Sequence, residues 1–320
     1  MLPRYLFVLL SLTAFQLGCA ASAVQPLQAT EGRSSGIAVK ELTASDYSAS
    51  LDLLALGYRD GTIEVRTPAP HHLLMRGKHQ SAIANLALSP DHTRLASLDR
   101  LGTLAVSVLE TGELQVLSDD GPQRAADGAM MGLSWDGSGR RIATALSGRV
   151  RVVDLADESR LEVELEQPVA ALTFTPDGKQ LVVAGSRLEV LSLPGLKRVR
   201  SIEIPRGPRA VRVTDVRYSP DGGVLGVLML GGAAFVDVAS DQLEVEHFSS
   251  FDPVGLRFGP DGRVLLFGRK ALYVGPPSVK GVEAAAHQLN GGLAGVEFRK
   301  DGSLLFVGDA QDAELAALLD

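Results

Sequence analysis

Ile83-Ala84-Asn85-Leu86-Ala87-Leu88-Ser89-Pro90-Asp91, followed by Arg94-Leu95-Ala96-Ser97-Leu98 and Gly102-Thr103-Leu104-Ala105-Val106, is the stretch that decides the fold. It reads as strand, tight turn, strand, turn, strand. The runs are short, rich in Leu, Ile, Val and Ala, and bounded by turn residues, which suits a sheet. The turn has a mechanism: Pro fixes φ, Asp bonds its own backbone, and Gly accepts positive φ. The same unit recurs at Ser134-Trp135-Asp136-Gly137, Thr175-Pro176-Asp177-Gly178, Ser219-Pro220-Asp221-Gly222, Gly259-Pro260-Asp261-Gly262 and Arg299-Lys300-Asp301-Gly302. The Asp positions 91, 136, 177, 221, 261 and 301 are spaced by 45, 41, 44, 40 and 40 residues, and a period near 40 signals a repeat architecture.

An unmarked first copy precedes these six. Leu51–Leu56 aligns with the strand at Arg94, and Asp60–Val65 with that at Gly102. Each unit divides into four strands, in the second Ile83–Leu88, Leu95–Leu98, Thr103–Leu109 and Glu113–Leu117. The pattern predicts an all-β chain, a seven-bladed β-propeller of four-stranded blades over residues 37–320. The last unit offers Leu293–Phe298, Leu304–Val307 and a weak third strand at Glu314–Leu318. Ile37–Glu41 is expected to close that blade as its outer strand, removing an exposed edge. A short helix over Ala313–Leu319 is the alternative for the C-terminus.

The chain has 320 residues, 45% hydrophobic and 22% charged, ordinary values for a packed protein. Its net charge of -7 argues against nucleic acid as a partner. The single cysteine, Cys19, excludes an intramolecular disulfide.

Residues 1–23 read as an export signal. Met1–Arg4 carries a positive charge, and Tyr5–Leu17 is almost wholly apolar but short of the roughly 20 residues that a spanning helix needs. Two cleavage sites compete. Ala21-Ser22-Ala23 gives a soluble protein from Val24, whereas Leu17-Gly18-Cys19-Ala20 resembles a bacterial lipoprotein signal, with Gln16 where that family prefers Leu. The second resemblance implies lipidation at Cys19 and an outer-membrane lipoprotein facing the periplasm or the surface; the first implies a soluble periplasmic or secreted protein. Residues 24–36, polar and Ser/Gly/Gln-rich, read as a flexible tether.

Gly77-Lys78-His79, the strand and turn from Ile83 to Asp91, Leu95-Ala96-Ser97 and Gly102-Thr103-Leu104 together resemble a WD-40 repeat. The resemblance implies a propeller whose loops bind proteins. It also implies a buried His–Ser–Asp–Trp set, to which His79 and Ser97 match. Leu101 stands at the Asp place and Ser107 at the Trp place, while Asp60 fills the Asp place in the first unit. The Trp-Asp dipeptide itself is absent, Asp154 and Asp237 following Val153 and Val236.

The repeated Asp residues read as turn formers, too far apart around a ring for acid–base work. His71-His72 has no Cys or carboxylate nearby to complete a metal set, His79 reads as structural, and His92, His247 and His287 are isolated. There is no phosphate loop or nucleophile elbow. No catalytic, cofactor or metal residue is assigned. Charge patterning is more informative. Glu158, Glu162, Glu164 and Glu166 make one outer strand acidic, and Lys197, Arg198, Arg200, Arg206, Arg209 and Arg212 make the next one and its loop basic. The basic set is the partner-binding candidate, and the loops Ser118–Met130 and Pro205–Asp215 break the period. The expected function is a monomeric, non-catalytic protein-binding scaffold of the bacterial envelope. The alternative is a lactonase- or hydrolase-type enzyme or small-ligand sensor using the central channel.

Overall fold

A computed structural model of the chain describes residues 42–67, 72–117, 131–205, 212–288 and 293–308. The export signal, Cys19, the tether, Ile37–Glu41, His71, Ser118–Met130, Arg206, Arg209 and the segment 309–320 lie outside the described residues.

The described chain is a β-propeller. Blade 1 comprises β1 (Leu42–Ser48), β2 (Leu53–Tyr58), β3 (Thr62–Arg66) and β4 (Leu73–Lys78). Blade 2 comprises β5 (Ile83–Leu88), β6 (Arg94–Asp99), β7 (Leu104–Val108) and β8 (Leu114–Val116). Blade 3 follows as β9 (Met131–Trp135), β10 (Arg141–Leu146), β11 (Arg149–Asp154) and β12 (Arg160–Glu164), then blade 4 as β13 (Ala171–Phe174), β14 (Gln180–Ala184), β15 (Leu188–Ser192) and β16 (Lys197–Ile202). Blade 5 is β17 (Val213–Tyr218), β18 (Val224–Met229), β19 (Gly232–Asp237) and β20 (Leu243–His247). Blade 6 is β21 (Pro253–Phe258), β22 (Val264–Gly268) and β23 (Ala271–Gly275), a short helix α1 (Val282–Ala285), and β24 (His287–Gln288). Among the described residues the last unit supplies β25 (Leu293–Phe298) and β26 (Leu304–Gly308). Each sheet is an antiparallel meander in chain order, as short hairpin connections dictate.

The expected seven four-stranded blades are therefore six among the described residues, with a two-stranded sheet as the seventh unit. The marker turn of the seventh unit is present, between β25 and β26. A marker turn guarantees the hairpin on either side of it, but the outer pair needs a further apolar run. Both segments expected to complete that unit, Ile37–Glu41 and Glu314–Leu318, lie outside the described residues. The ring nevertheless closes: the first strands of all seven units lie side by side around the axis, and β25 contacts both β21 and β1.

The core is a set of interleaved layers between blades. Successive strand residues face opposite sides, so a middle strand packed on both faces is apolar throughout, and every residue of β2 is buried. Its Leu53 and Ala55 join Ile83, Leu86 and Leu95 against blade 2, while Leu54, Leu56 and Tyr58 face the other way. In blade 2, Ala96 and Leu98 point to blade 3 and meet Leu133, Trp135 and Ile142.

The turn carboxylates cap their own hairpins. Asp91 accepts the Thr93 N–H at 3.1 Å, Asp177 that of Lys179 at 3.0 Å, Asp221 that of Gly223 at 3.0 Å, Asp261 that of Arg263 at 3.0 Å and Asp301 that of Ser303 at 2.9 Å. Asp136 differs. The left-handed residues that close these turns are His92, Gly139, Gly178, Gly222, Gly262 and Gly302, so Ser138 occupies the Asp91 place and Asp136 the Ser89 place. Sequence spacing puts it two residues out of register because Trp135 ends β9 instead of entering the turn. At the buried position Asp136 accepts the Arg140 and Arg141 N–H groups at 2.9 and 3.0 Å, the Ser138 hydroxyl at 2.8 Å and Arg141 Nε at 2.9 Å. Burial opposes its charge, but the bonds from Arg141 and Ser138 outweigh it and hold its pKa below the usual carboxylate range. Asp136→Ala should therefore cost about 2–3 kcal/mol in denaturant unfolding, because it strands buried donors, whereas Asp177→Ala at an exposed turn should cost under about 1 kcal/mol.

Candidate functional site

His79 and Ser97 meet inside the ring: His79 Nε2 lies 2.7 Å from Ser97 Oγ, and both are buried. The third member comes from Asp99, whose Oδ2 is 3.4 Å from His79 Nδ1. The repeat resemblance places that member at position 101 instead. Asp99 Oδ1 holds the following turn through the Leu101 and Thr103 N–H groups, both at 2.9 Å. Ser107, at the Trp place, is buried nearby in β7. Asp60 sits in the equivalent turn of blade 1, where it is bonded to Lys78 at 2.7 Å and to both Thr62 donors at 2.9 Å. Burial works against its charge, but these bonds draw its pKa down to about 2. His72 is exposed and bonded through its N–H to Thr67. Among the described residues no group of three or more His, Cys, Asp or Glu is placed to hold a metal ion, and no helix is long and apolar enough to cross a membrane.

The acidic and basic outer strands are differently engaged. Glu162 and Glu164 on β12 pair across the sheet with Arg149 and Arg151 of β11, at 2.8–3.2 Å. On β16 the first five residues are all exposed. Arg198 reaches Glu189 at 3.5 Å and Arg200 reaches Asp241 of blade 5 at 2.7 Å, while Val199 between them is 54% exposed. Arg212, before β17, is exposed.

A second feature distinguishes the junction beside this rim. Three successive-blade junctions share one clasp. Arg94 donates to the Gly139 carbonyl at 2.8 Å and lies over Trp135; Arg141 donates to Gly178 at 2.7 Å and lies over Phe174; Arg263 donates to Gly302 at 3.4 Å and lies over Phe298. Each guanidinium thus locks the turn of the next unit and covers the aromatic that ends its inner strand. At the junction of blades 4 and 5 the equivalent residue is Gln180 and the aromatic is Tyr218. Both line a groove of about 350 Å³, floored by Val182, Val190, Ile202 and Val236, with Val199 and the Arg200–Asp241 pair at its edge. Burial raises the pKa of the Tyr218 phenol.

The central channel carries the other constellation. Its open part, about 230 Å³, is lined by Asp46 of β1, Asn85 and Ala87 of β5, Ser134 of β9, Thr173 of β13, and Asp215 and Arg217 of β17. On the blade 6 and 7 side, Arg257 Nε is 2.8 Å from both oxygens of Glu297, and Arg257 Nη1 is 3.4 Å from Asp215. Burial raises the Glu297 pKa, partly countered by Arg257. Burial also opposes the Arg217 charge, but Asp215, Asp46 and Glu297 outweigh it and raise its pKa. No converging charged set is visible in the sequence because Asp46, Asp215, Arg217, Arg257 and Glu297 come from four different units and share no motif. The available signal is a charged residue inside an inner strand, at equivalent places in β1, β17, β21 and β25. Compared with protein-family models and with curated proteins, the chain matches none of either.

Proposed function

We propose that the chain is a non-catalytic, WD-40-like binding scaffold of the bacterial envelope, exported by residues 1–23 and anchored through Cys19 or released into the periplasm. The observation that carries the binding reading is the groove between blades 4 and 5. An unclasped junction leaves an apolar slot beside Tyr218, next to the exposed edge strand with Lys197, Arg198 and Arg200. Apolar depth with a charged rim suits recognition of an acidic protein segment that inserts an apolar side chain. The turn carboxylates support the non-catalytic reading, since each is engaged in capping its own hairpin.

The test uses a photo-crosslinking residue at position 199 in the native envelope. A discrete protein adduct is expected, and a Lys197→Glu/Val199→Glu protein should lose at least ten-fold in capture of that partner while keeping its circular dichroism spectrum. Equal capture by the double variant would remove this rim from the binding surface.

A further inference from the structure

The channel lies on the ring axis, away from the outer rim, and its chemistry is different. We infer that it is a binding site for a small zwitterion with separated charges, of the size of a dipeptide or an ω-amino acid, held by its carboxylate on Arg217 and by its ammonium on Asp46. This inference does not rest on the partner-docking reading.

Four observations carry it. First, Arg217 has donors to spare. Its bond to Asp215, 3.0 Å long, uses Nε and leaves both terminal nitrogens; protein surrounds the guanidinium closely enough to oppose its charge, yet 40% of the side-chain surface stays open to the channel. Second, Asp46 uses one oxygen, Oδ2, to accept the Leu88 N–H at 2.7 Å, leaving Oδ1 as an acceptor in the same cavity. Strands β17 and β1 are separated by β21 and β25 around the ring, so the two charges stand across the channel from each other. Third, the wall between them on the other side is neutral and small. Ala87, Ser134 and Thr173 fill the inner-strand places of blades 2 to 4, and the two hydroxyls donate to their own strands, to the Trp135 and Phe174 carbonyls, leaving oxygen lone pairs for a ligand donor. Fourth, the cavity is selective by size and charge. At about 230 Å³ it falls below the roughly 300–1,000 Å³ typical of drug-sized ligands. Asp46, Asp215 and Glu297 face Arg217 and Arg257, so groups of both signs line one cavity. A plain anion on Arg217 would leave Asp46 without a ligand cation and a plain cation on Asp46 would leave Arg217 without a ligand anion, whereas a zwitterion matches both ends.

Isothermal titration calorimetry of the full chain with γ-aminobutyrate and with glycylglycine tests this, with butyrate and butylamine as single-charge controls. At least one zwitterion is expected to bind at millimolar concentration or tighter, and neither control to do so. Arg217→Gln and Asp46→Asn should each weaken that binding at least ten-fold. Asp46→Asn keeps an oxygen for the Leu88 N–H, so it remains informative if Arg217→Gln fails to fold. Absence of heat from both zwitterions, equal binding of a single-charge control, or unchanged affinity in Asp46→Asn would overturn the assignment. Each outcome is independent of crosslinking at position 199.

Discussion

Gly61→Ala is expected to destabilise the protein by about 3–4 kcal/mol, the largest effect of any single methyl added to a described turn. Gly61 closes the β2–β3 hairpin with φ of +87°, donating to the Tyr58 carbonyl at 3.0 Å and accepting the His79 N–H at 2.9 Å. The left-handed backbone alone costs an L-residue about 1–2 kcal/mol. The new methyl would also overlap the His79 carbonyl oxygen and come within 2.7 Å of that of Ser81. Both are backbone atoms, so no rotamer change relieves the clash, and the chain leading to the His79–Ser97 pair must move. Gly112 provides the control: its φ is +69°, and a methyl added there would meet nothing within 4 Å. Gly112→Ala should show only the conformational part, about 1 kcal/mol. Urea unfolding midpoints of the two variants separate the terms, and equal shifts would mean that the crowding at Gly61 is relieved elsewhere.

Arg257→Met should cost about 3–5 kcal/mol at neutral pH, because it leaves Glu297, only 5% exposed, without its partner in the channel wall. Its pH dependence distinguishes lost charge pairing from lost packing. Burial already raises the Glu297 pKa in the wild type, and Arg257 counters that rise. Without the guanidinium the folded-state value climbs further above the unfolded one. In the window between them the folded protein holds the proton that the unfolded chain has released. Stability therefore falls as pH rises through that window and is recovered below the ordinary glutamate range near pH 4. The variant should approach wild-type stability on mild acidification, before the turn carboxylates protonate. Those groups have lowered pKa values, so their contribution is present above the ordinary aspartate range and lost only as pH falls through the depressed values. A loss of stability equal at pH 5 and pH 8 would instead assign the role of Arg257 to its packing over Phe267.

The blade period is legible in the sequence because its signal is local. A turn such as Ser219-Pro220-Asp221-Gly222 and the apolar runs beside it are contiguous, and the hairpin β17–β18 follows from them. The extent of the last blade is not legible, since a turn does not report on strands two connections away. Asp136 falls two residues from its expected place because a dipeptide pattern cannot tell a strand-ending Trp135 from a turn residue. Asp99 escapes notice as the partner of His79 because the repeat pattern points to 101, whereas the β6 strand carries its last residue inward. The rim at β16 is visible as charge, but the contrast between Gln180 and the arginines of three other junctions has meaning only once residues forty positions apart are neighbours. The channel set lies furthest from any sequence pattern, being assembled from single residues of units separated by most of the chain.

The contact of β25 with β1 has a consequence for how the molecule is made. Up to blade 6, each new sheet finds its neighbour already synthesised, so assembly can proceed as local, fast additions along the chain. The closing contact joins the first and last units of the described chain and carries the loop-closure entropy of the whole ring. Until it forms, β1 and the apolar face of Leu54, Leu56 and Tyr58 have no neighbour from the seventh unit. Because β1 opens the ring and β25 belongs to its last unit, a nascent chain must carry that face uncovered while all the blades between them are made. Blade 1 is then the place where a chaperone would have most to protect, and closure is the non-local event expected to be slow.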